Sequence, residues 1–239
     1  MKNQSVLITG GTGGIGHACA EQFLKAGAKV TITGRDQTKL DKLVSELEQN
    51  GRNVSGIKVD VTDSKSVSEM AEKVIENHGG IDVLVNAFGT GMIQPLHDID
   101  PVEAANVLNV NILGTFLVTQ EVTRHMASAK KGNVIMFPGI LGKTVMKNTS
   151  IYSASKYAVT GFTKALVEEH KRTGIRYSLF YLGGVDTPFW DNQNVNMRVQ
   201  RDKMLTADEV AKAVFYAALQ QGDSVLSELV LQPESHQMI

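Results

Sequence analysis

Apolar positions along the chain follow two alternating patterns. Short runs such as Val6-Leu7-Ile8 and Val83-Leu84-Val85 are apolar at consecutive positions, whereas the longer segments between them repeat apolar residues at helical spacing. This alternation predicts βαβ units. Strands are predicted at residues 5–9, 29–33, 54–59, 81–85, 133–137, 176–181 and 228–231, and helices at residues 14–26, 37–49, 65–77, 101–127, 152–172 and 207–220.

The strands carry apolar residues on both faces, which is typical of a parallel sheet covered by helices on each side. We therefore predict an α/β fold, a doubly wound parallel sheet of the Rossmann type, in a single domain over residues 1–239. The stretch from residue 183 to residue 203 shows no clear periodicity. We expect it to be the most mobile region.

Composition and charge narrow the class of protein. The chain is 42% hydrophobic and 21% charged, as in a globular enzyme, and a net charge of -1 leaves no basic surface for a nucleic acid. Cys19 is the only cysteine, so we predict no disulfide and no metal site, and expect a reducing compartment. The start has no secretory pattern, and the longest apolar segment, near residues 107–118, is interrupted by asparagines and a glycine. We expect a cytoplasmic protein without a membrane partner.

A glycine-rich turn separates the first predicted strand from the first helix. The run from Thr9 to Gly16 contains the usual dinucleotide-binding spacing and a variant of it, Gly10, Gly14 and Gly16. Glycines there let the backbone turn tightly and approach a pyrophosphate at the positive end of a helix. A glycine cluster alone is also compatible with a flexible loop. Its place at the first crossover favours a dinucleotide.

The residues after the second strand bear on the choice of dinucleotide. An acid there binds the ribose of NAD, whereas an arginine accommodates the 2′-phosphate of NADP. The chain has Arg35 at this place, and we expect the following Asp36 to cap the next helix. NADP is favoured over NAD. The alternative is that Arg35 is an ordinary solvated residue.

Tyr152 and Lys156 are four residues apart, which puts them on one face of a helix. A nearby ammonium group is expected to lower the pKa of the phenol. Tyr152 would then donate a proton to a carbonyl oxygen, or remove one from an alcohol, while nicotinamide exchanges hydride with the carbon. The spacing also arises by chance. Its place after the fifth strand, downstream of a nucleotide-binding turn, favours catalysis.

Four segments resemble the short-chain dehydrogenase/reductase family, in the right order over essentially the whole chain. Asp60-Val61 resembles the pair that flanks adenine, and Asn86-Ala87-Phe88-Gly89 resembles the Asn-Asn-Ala-Gly turn. Asn109-Val110-Asn111 resembles the segment whose last Asn holds a water in a proton relay. The run from Tyr152 to Lys156 resembles the catalytic Tyr-x-x-x-Lys element. Asn86 is also compatible with a plain turn residue, and Asn111 with a packing amide.

The resemblance implies a site and an assembly. A later segment, Leu182 to Thr187, resembles the family's Pro-Gly-x-Val-x-Thr loop, with leucine in place of proline. Family members pair their long helices into homodimers and homotetramers, which implies the same here. The implied catalytic residues are Tyr152, Lys156 and Asn111, and the implied cofactor-binding residues are Gly10, Thr12, Gly14, Ile15, Gly16, Arg35, Asp60, Val61, Asn86, Ala87, Gly89, Tyr152, Lys156, Val185 and Thr187.

One position departs from the family pattern. The family has a serine thirteen residues before the tyrosine, where this chain has Gly139, and Pro138-Gly139 stands in place of two serines. Losing one oxyanion donor typically costs about 10² to 10³ in rate. A substitute hydroxyl would have to come from a loop that folds inward, with Thr144, Thr149 and Ser150 as candidates.

Two functions follow as hypotheses. The first is an NADP-dependent oxidoreductase that interconverts a small-molecule carbonyl and an alcohol. The alternative is a nucleotide-binding protein with little or no turnover, serving regulation or assembly. The substrate cannot be read from the sequence, because the candidates for an apolar pocket are also compatible with core or surface positions: Met92, Met146, Phe189, Trp190 and Met197.

Overall fold

The computed structural model describes residues 1–48, 52–220 and 224–237. Seven strands form one sheet in the order β3-β2-β1-β4-β5-β6-β7, and every neighbouring pair is parallel. The strand order reverses between β1 and β4, which is where a doubly wound sheet opens a crevice for ligands. The predicted architecture is confirmed. The strands are β1 Ser5–Thr9, β2 Lys29–Gly34, β3 Val54–Lys58, β4 Val83–Asn86, β5 Gly132–Met136, β6 Ile175–Leu182 and β7 Glu228–Leu231.

Helices cover both faces of this sheet. On one face α1, α2 and α7 bury residues such as Phe23, Leu40 and Val214. On the other face α3, α5 and α6 bury residues that include Met70 and Val122. The two apolar layers explain why the central strands are apolar at consecutive positions. The helices are α1 Gly14–Lys25, α2 Gln37–Leu47, α3 Ser64–His78, α4 Pro101–Leu108, α5 Thr115–Ala129, α6 Ser150–Glu169 and α7 Ala207–Ala218.

The predicted elements all exist, and the differences lie at their ends. Strands β1 and β7 have the predicted bounds, whereas α6 begins at Ser150, two residues before the predicted start, and ends at Glu169. The helix predicted over residues 37–49 ends at Leu47, and the last predicted residue lies outside the described residues. Helix ends are the least determined by apolar periodicity, because capping and frayed turns decide them.

The helix predicted over residues 101–127 is more complex than the sequence indicated. A π-helical segment, Asn109–Gly114, joins α4 to α5 and carries Asn111. Such wide turns recur at functional sites. Within the joined stretch Pro101–Ala129, a window of 18 residues has a mean hydropathy of 1.3, so the helix is long and apolar enough to cross a bilayer by length and composition only. This corrects the expectation that the chain holds no such segment. Buried residues such as Val118 and Val122 pack it against the sheet as a core helix.

The irregular stretch after β6 has defined contacts with the segment that follows β4. The Ile93 amide donates to the Asn194 carbonyl at 2.8 Å, and the Asn196 amide donates to the Ile93 carbonyl at 3.1 Å. The Asn192 side chain donates from Nδ2 to Thr90 Oγ1 at 3.1 Å. These hydrogen bonds bring the stretch over the carboxyl ends of the strands. Its mobility stays a prediction.

Candidate active site

The glycine turn between β1 and α1 is closely packed by backbone. Gly10 has φ +73°, and a Cβ added at Gly16 would lie 2.4 Å from the Gly10 carbonyl oxygen. A Cβ added at Gly14 would lie 2.6 Å from Thr187 Cγ2. Backbone atoms exclude a side chain at Gly16, the positive φ disfavours one at Gly10, and at Gly14 the Thr187 side chain would have to move. A Cβ added at Gly11 would likewise lie 2.5 Å from Ile32 Cβ, so glycines of both spacings are closely packed and the spacing that a dinucleotide uses stays a prediction.

The N-terminus of α1 is open to an anion. No side chain among the described residues caps α1 at Gly13, and its first turn contains no acidic residue. The first amide groups of a helix have no partner within the helix, and they carry its positive end. Thr12 lies beside this end, against the backbone of Gly34, and Ile15 packs on the apolar layer below. The turn fits a pyrophosphate.

Two charged residues lie on the rim beyond β2 and β3. Arg35 is exposed directly after β2, and the Asp36 carboxylate accepts the Lys39 amide at 3.1 Å, capping α2 as predicted. Asp60 accepts two hydrogen bonds from Thr62, from the hydroxyl at 2.7 Å and from the amide at 2.9 Å. These bonds, with the positive charge of Arg35, hold the pKa of Asp60 below its ordinary value. Arg35 and Asp60 therefore share one rim.

Asn86, at the end of β4, and the following Ala87 make contacts that hold the sheet together. Asn86 points into the core, where Oδ1 accepts the Thr9 hydroxyl at 2.9 Å and Nδ2 donates to the Thr119 hydroxyl at 3.2 Å. It therefore ties β1, β4 and α5 together from within. Ala87 donates its amide to the Thr9 carbonyl at 3.0 Å, which extends the pairing of β1 and β4.

Gly89 lies beside the predicted catalytic residues. A Cβ added at Gly89 would be 3.2 Å from Asn111 Oδ1 and 3.6 Å from Lys156 Nζ. Val61, on the other side of the segment, is buried at 8% exposure against Gly114 of the π-helical segment. Gly89 therefore lies next to Asn111 and Lys156, which the sequence predicted to belong to the same site.

Asn111 is fully engaged inside the protein. Its Oδ1 accepts the Thr90 amide at 2.9 Å, and its Nδ2 donates to the Thr90 carbonyl at 2.9 Å and to Ser155 Oγ at 3.0 Å. The amide therefore clamps the Thr90 backbone to α6. Its observed side-chain role is to position the segment after β4 against the helix that carries Tyr152.

Tyr152 and Lys156 lie together in α6, as their spacing predicted. Lys156 Nζ lies 5.5 Å from the centroid of the Tyr152 ring and donates to the Phe137 carbonyl at 3.0 Å. Burial lowers the pKa of Lys156 to about 8. Burial also raises the pKa of Tyr152, so the expected lowering by the ammonium is wrong for this structure. Loss of solvation outweighs a charge that has no hydrogen bond to the phenol.

The position thirteen residues before Tyr152 has an unusual backbone. Gly139 adopts φ 64° and ψ 175°, a region that is essentially restricted to glycine. A Cβ there would meet only the Leu182 carbonyl oxygen, at 3.7 Å, so space is available while the backbone is restrictive. The Thr144 and Thr149 hydroxyls donate to the Ile140 and Met146 carbonyls, and Ser150 is exposed. Thr144 and Thr149 therefore serve their local turns.

The loop after β6 contacts the glycine turn. Thr187 packs its methyl group against Gly14, and Val185 is buried at 7% exposure. The Val185 carbonyl accepts the Trp190 indole N–H at 2.8 Å. Thr187 therefore lies against the glycine turn, and Val185 is held inside the loop itself.

A comparison of the sequence with known proteins identifies its family. The model of the family described as short chain dehydrogenase matches residues 4–198. An uncharacterized oxidoreductase of Staphylococcus saprophyticus is 32% identical over 234 residues, which cover 98% of each chain. The chain belongs to the short-chain dehydrogenase/reductase family. It is similar over its whole length to oxidoreductases.

Solved structures show the same short-chain dehydrogenase fold. A metagenomic short-chain oxidoreductase in complex with NADP is 28% identical, with a TM-score of 0.84 over 97% of both chains. Actinorhodin polyketide ketoreductase with NADPH is 27% identical, with a TM-score of 0.86 over 95% of both chains. An alcohol dehydrogenase of Thermococcus sibiricus, complexed with 5-hydroxy-NADP, has a TM-score of 0.89 over 99% of both chains at 24% identity, which shows the fold alone.

Two residues near the predicted site of this short-chain dehydrogenase were not assigned to it from the sequence. Thr90 is held by Asn111 and contacts Asn192, 102 residues away, and no local signal marks that pair. The Phe189 ring lies 5.7 Å from the Tyr152 ring, centroid to centroid. The sequence named Phe189 only as one of several apolar candidates.

The predicted apolar pocket is not assembled as a group. Phe189 and Trp190 are in mutual contact, with ring centroids 5.2 Å apart. Met92 is a core residue at 1% exposure, and Met197 is 41% exposed. Met146 lines a surface groove with Val145 and Tyr157.

Proposed function

We propose that the chain is an NADP(H)-dependent oxidoreductase that interconverts a carbonyl and an alcohol by hydride transfer. The observation that carries the proposal is the pair of Tyr152, which is partly buried, and Lys156, which is buried, 5.5 Å apart from ring centroid to Nζ, at the end of the sheet that holds the glycine turn. Two structural relatives more than 25% identical are in complex with NADP or NADPH. The relatives support a nicotinamide cofactor. The preference for NADP rests on Arg35.

The residues present fit such a cofactor. The tight backbone of the turn from Gly10 to Gly16, with the open amide groups of α1, suits a pyrophosphate. Arg35 would pair with a 2′-phosphate. The adenine would lie by Asp60 and Val61, and the nicotinamide by Val185 and Thr187. When bound, the nicotinamide supplies or accepts the hydride at the substrate carbon.

The chain's own part is proton transfer and positioning. The Tyr152 phenol is protonated at neutral pH, and burial raises its pKa further, so its hydroxyl is available as a proton donor to a carbonyl oxygen. The Lys156 ammonium, held on the Phe137 carbonyl, favours the phenolate that remains. Asn111 clamps Thr90 and α6, which keeps the two sides of the site in register. In the reverse direction, Tyr152 would accept the proton of the alcohol.

We propose further that Gly139 replaces the serine of the family. No hydroxyl is then available at that position, and the alternative hydroxyls of Thr144 and Thr149 are used by local carbonyls. Tyr152 becomes the main donor to the substrate oxygen. We expect turnover below that of a complete site by about 10² to 10³.

Gly139 also favours a second candidate function. A site without its oxyanion donor can bind the nucleotide with little turnover, and the protein would then serve regulation or assembly. Both candidates predict the same cofactor binding. They differ in whether the chemistry depends on Tyr152.

The setting of the protein is proposed with its function. We propose one domain acting in the cytoplasm on a small molecule, as a homodimer or homotetramer, without a nucleic acid or membrane partner. Apolar residues left exposed on the joined helix, Leu113 at 41% and Phe116 at 38%, support an assembly through that face.

The test combines binding and turnover. Calorimetry should show NADPH binding to wild type and to Tyr152→Phe with dissociation constants within about tenfold, because only one hydrogen bond to the cofactor is lost. Carbonyl-dependent oxidation of NADPH, followed by absorbance, should fall by about 10² to 10⁴ in Tyr152→Phe. Binding without any Tyr152-dependent turnover across a panel of ketones and aldehydes would favour the second candidate. No binding would contradict both.

A further inference from the structure

Phe189 covers the reacting tyrosine. Its ring centroid lies 5.7 Å from that of Tyr152, with an angle of 33° between the planes. Phe189 can lie there because Gly91 has no side chain: a Cβ added at Gly91 would be 2.3 Å from Phe189 Cζ. The absence of one side chain thus makes room for the other.

The surrounding loop holds this ring in place on both sides. Before it, the Thr187 hydroxyl accepts the Phe189 amide at 3.4 Å. After it, the Trp190 indole donates to the Val185 carbonyl at 2.8 Å, and Asn192 donates to Thr90 at 3.1 Å. The Phe189 ring is therefore placed by the fold.

Few polar groups are left to recognise a substrate beside this ring. Gly139 supplies no hydroxyl, and the Asn111 amide is used by Thr90 and Ser155. The ring contacts described at Tyr152 are aromatic: Phe189 packs beside it, and Trp190 packs edge-on against Phe189. Discrimination between substrates must then come mainly from stacking and shape.

We propose that Phe189 is a specificity-determining residue that selects carbonyl compounds with a flat aromatic or conjugated group attached to the carbonyl carbon. This rests on the proposed function, since it assigns the substrate class of the same site. A flat ring packs on Phe189 while the carbonyl oxygen faces Tyr152, and an aliphatic ring of the same size loses that stacking. One aromatic pair corresponds to roughly a threefold to tenfold difference in affinity.

The experiment compares two methyl ketones, acetophenone and cyclohexyl methyl ketone, which differ in whether the six-membered ring is aromatic. Calorimetry measures their dissociation constants on the full chain saturated with NADP⁺, which has no hydride to give, so the complex does not turn over. Wild type should bind acetophenone about threefold to tenfold more tightly. The ratio should approach one in Phe189→Leu, which removes the ring, and in Gly91→Ala, which displaces it.

A matched variant controls for the loss of an aromatic ring in general. Phe215→Leu removes a ring that packs on Phe23, with centroids 5.5 Å apart, between α1 and α7. The preference should survive there. An unchanged ratio in Phe189→Leu, a ratio of one in wild type, or no binding of either ketone would each overturn the proposal. Failure of the proposed function appears separately, as absent NADP⁺ binding or as turnover that is indifferent to Tyr152→Phe.

Discussion

The glycine turn and the end of β5 lie on the same edge of the sheet, yet they relate differently to the family pattern. At the turn, Gly10 and Gly16 are required because backbone approaches backbone, with only 2.4 Å left for a Cβ at Gly16. At the end of β5, Gly139 has free space for a Cβ, and only its backbone, at φ 64°, restricts the residue.

The two regions encode the binding and the chemistry of the site in different ways. Cofactor binding at the turn depends on amide groups and the absence of side chains, so it is built into the local fold. Chemistry at the end of β5 depends on which side chain is presented, and this chain presents none at Gly139. Under the proposed function, the turn would supply the contacts for the cofactor, whereas the chemistry would rely on Tyr152 and Lys156.

The largest effect is expected at the turn. Gly16→Ala places a Cβ 2.4 Å from the Gly10 carbonyl, so the turn must shift, and NADPH affinity should fall roughly tenfold to hundredfold. Calorimetry measures the dissociation constant. Gly161→Ala in α6, whose Cβ would meet nothing within 4 Å, is the control. Equal NADPH affinity in Gly16→Ala and Gly161→Ala would contradict the requirement for glycine at the turn.

A smaller effect is expected at Arg35, which tests whether binding also depends on one side chain. Arg35→Ala should weaken NADPH binding about tenfold or more through loss of a charge-assisted hydrogen bond, and should leave NADH binding unchanged. Titrations of both nucleotides measure this. Arg52→Ala, which changes an arginine two residues before the start of β3, is the matched control. Parallel weakening of both nucleotides would contradict a role in reading the 2′-phosphate.

At the end of β5 the backbone should limit what a serine can restore. Gly139→Ser forces a side chain into φ 64°, so the free energy of unfolding should fall by about 1–3 kcal/mol, as measured with denaturant. Turnover should recover more in the double variant Pro138→Ser with Gly139→Ser, in which the strand end is free to relax. If Gly139→Ser alone were as stable as wild type and turned over tenfold faster, the backbone would not restrict this position and only the hydroxyl would be missing.

The smallest effect is a change of about twofold in kcat/KM between pH 7 and pH 8. Burial lowers the pKa of Lys156 to about 8, so the lysine is charged below that pH and loses its charge above it. The charged form stabilises the Tyr152 phenolate that forms on reduction, so kcat/KM for the carbonyl should be half lost near pH 8. Lys156→Arg, which stays charged, should flatten the fall between pH 7 and 9. A flat wild-type profile would contradict this role.

Sequence patterns predicted the parts of the site that lie close together along the chain. Tyr152 and Lys156 share a helix face because their spacing matches the helical period. Asp36 caps α2 through a bond to Lys39, three residues away. The direction of Asn86 was not predictable, because its partners Thr9 and Thr119 come from other elements. The resemblance of residues 86–89 to the Asn-Asn-Ala-Gly turn of the family is compatible with an Asn86 side chain that points into the core or toward the site.

The order of strands and helices along the chain follows from the sequence alone, because it depends on the periodicity of apolar residues. The glycine turn and the helix face with Tyr152 and Lys156 follow in the same way, because each depends on spacing within a short segment. Three features became visible only in the tertiary structure: the positive φ of Gly139, the raised pKa of Tyr152 and the packing of Phe189 against Gly91. Those depend on which distant segments meet at the end of the sheet. Phe189 and Gly91 are brought together by the pairing of Ile93 with Val195, a contact that no local pattern encodes.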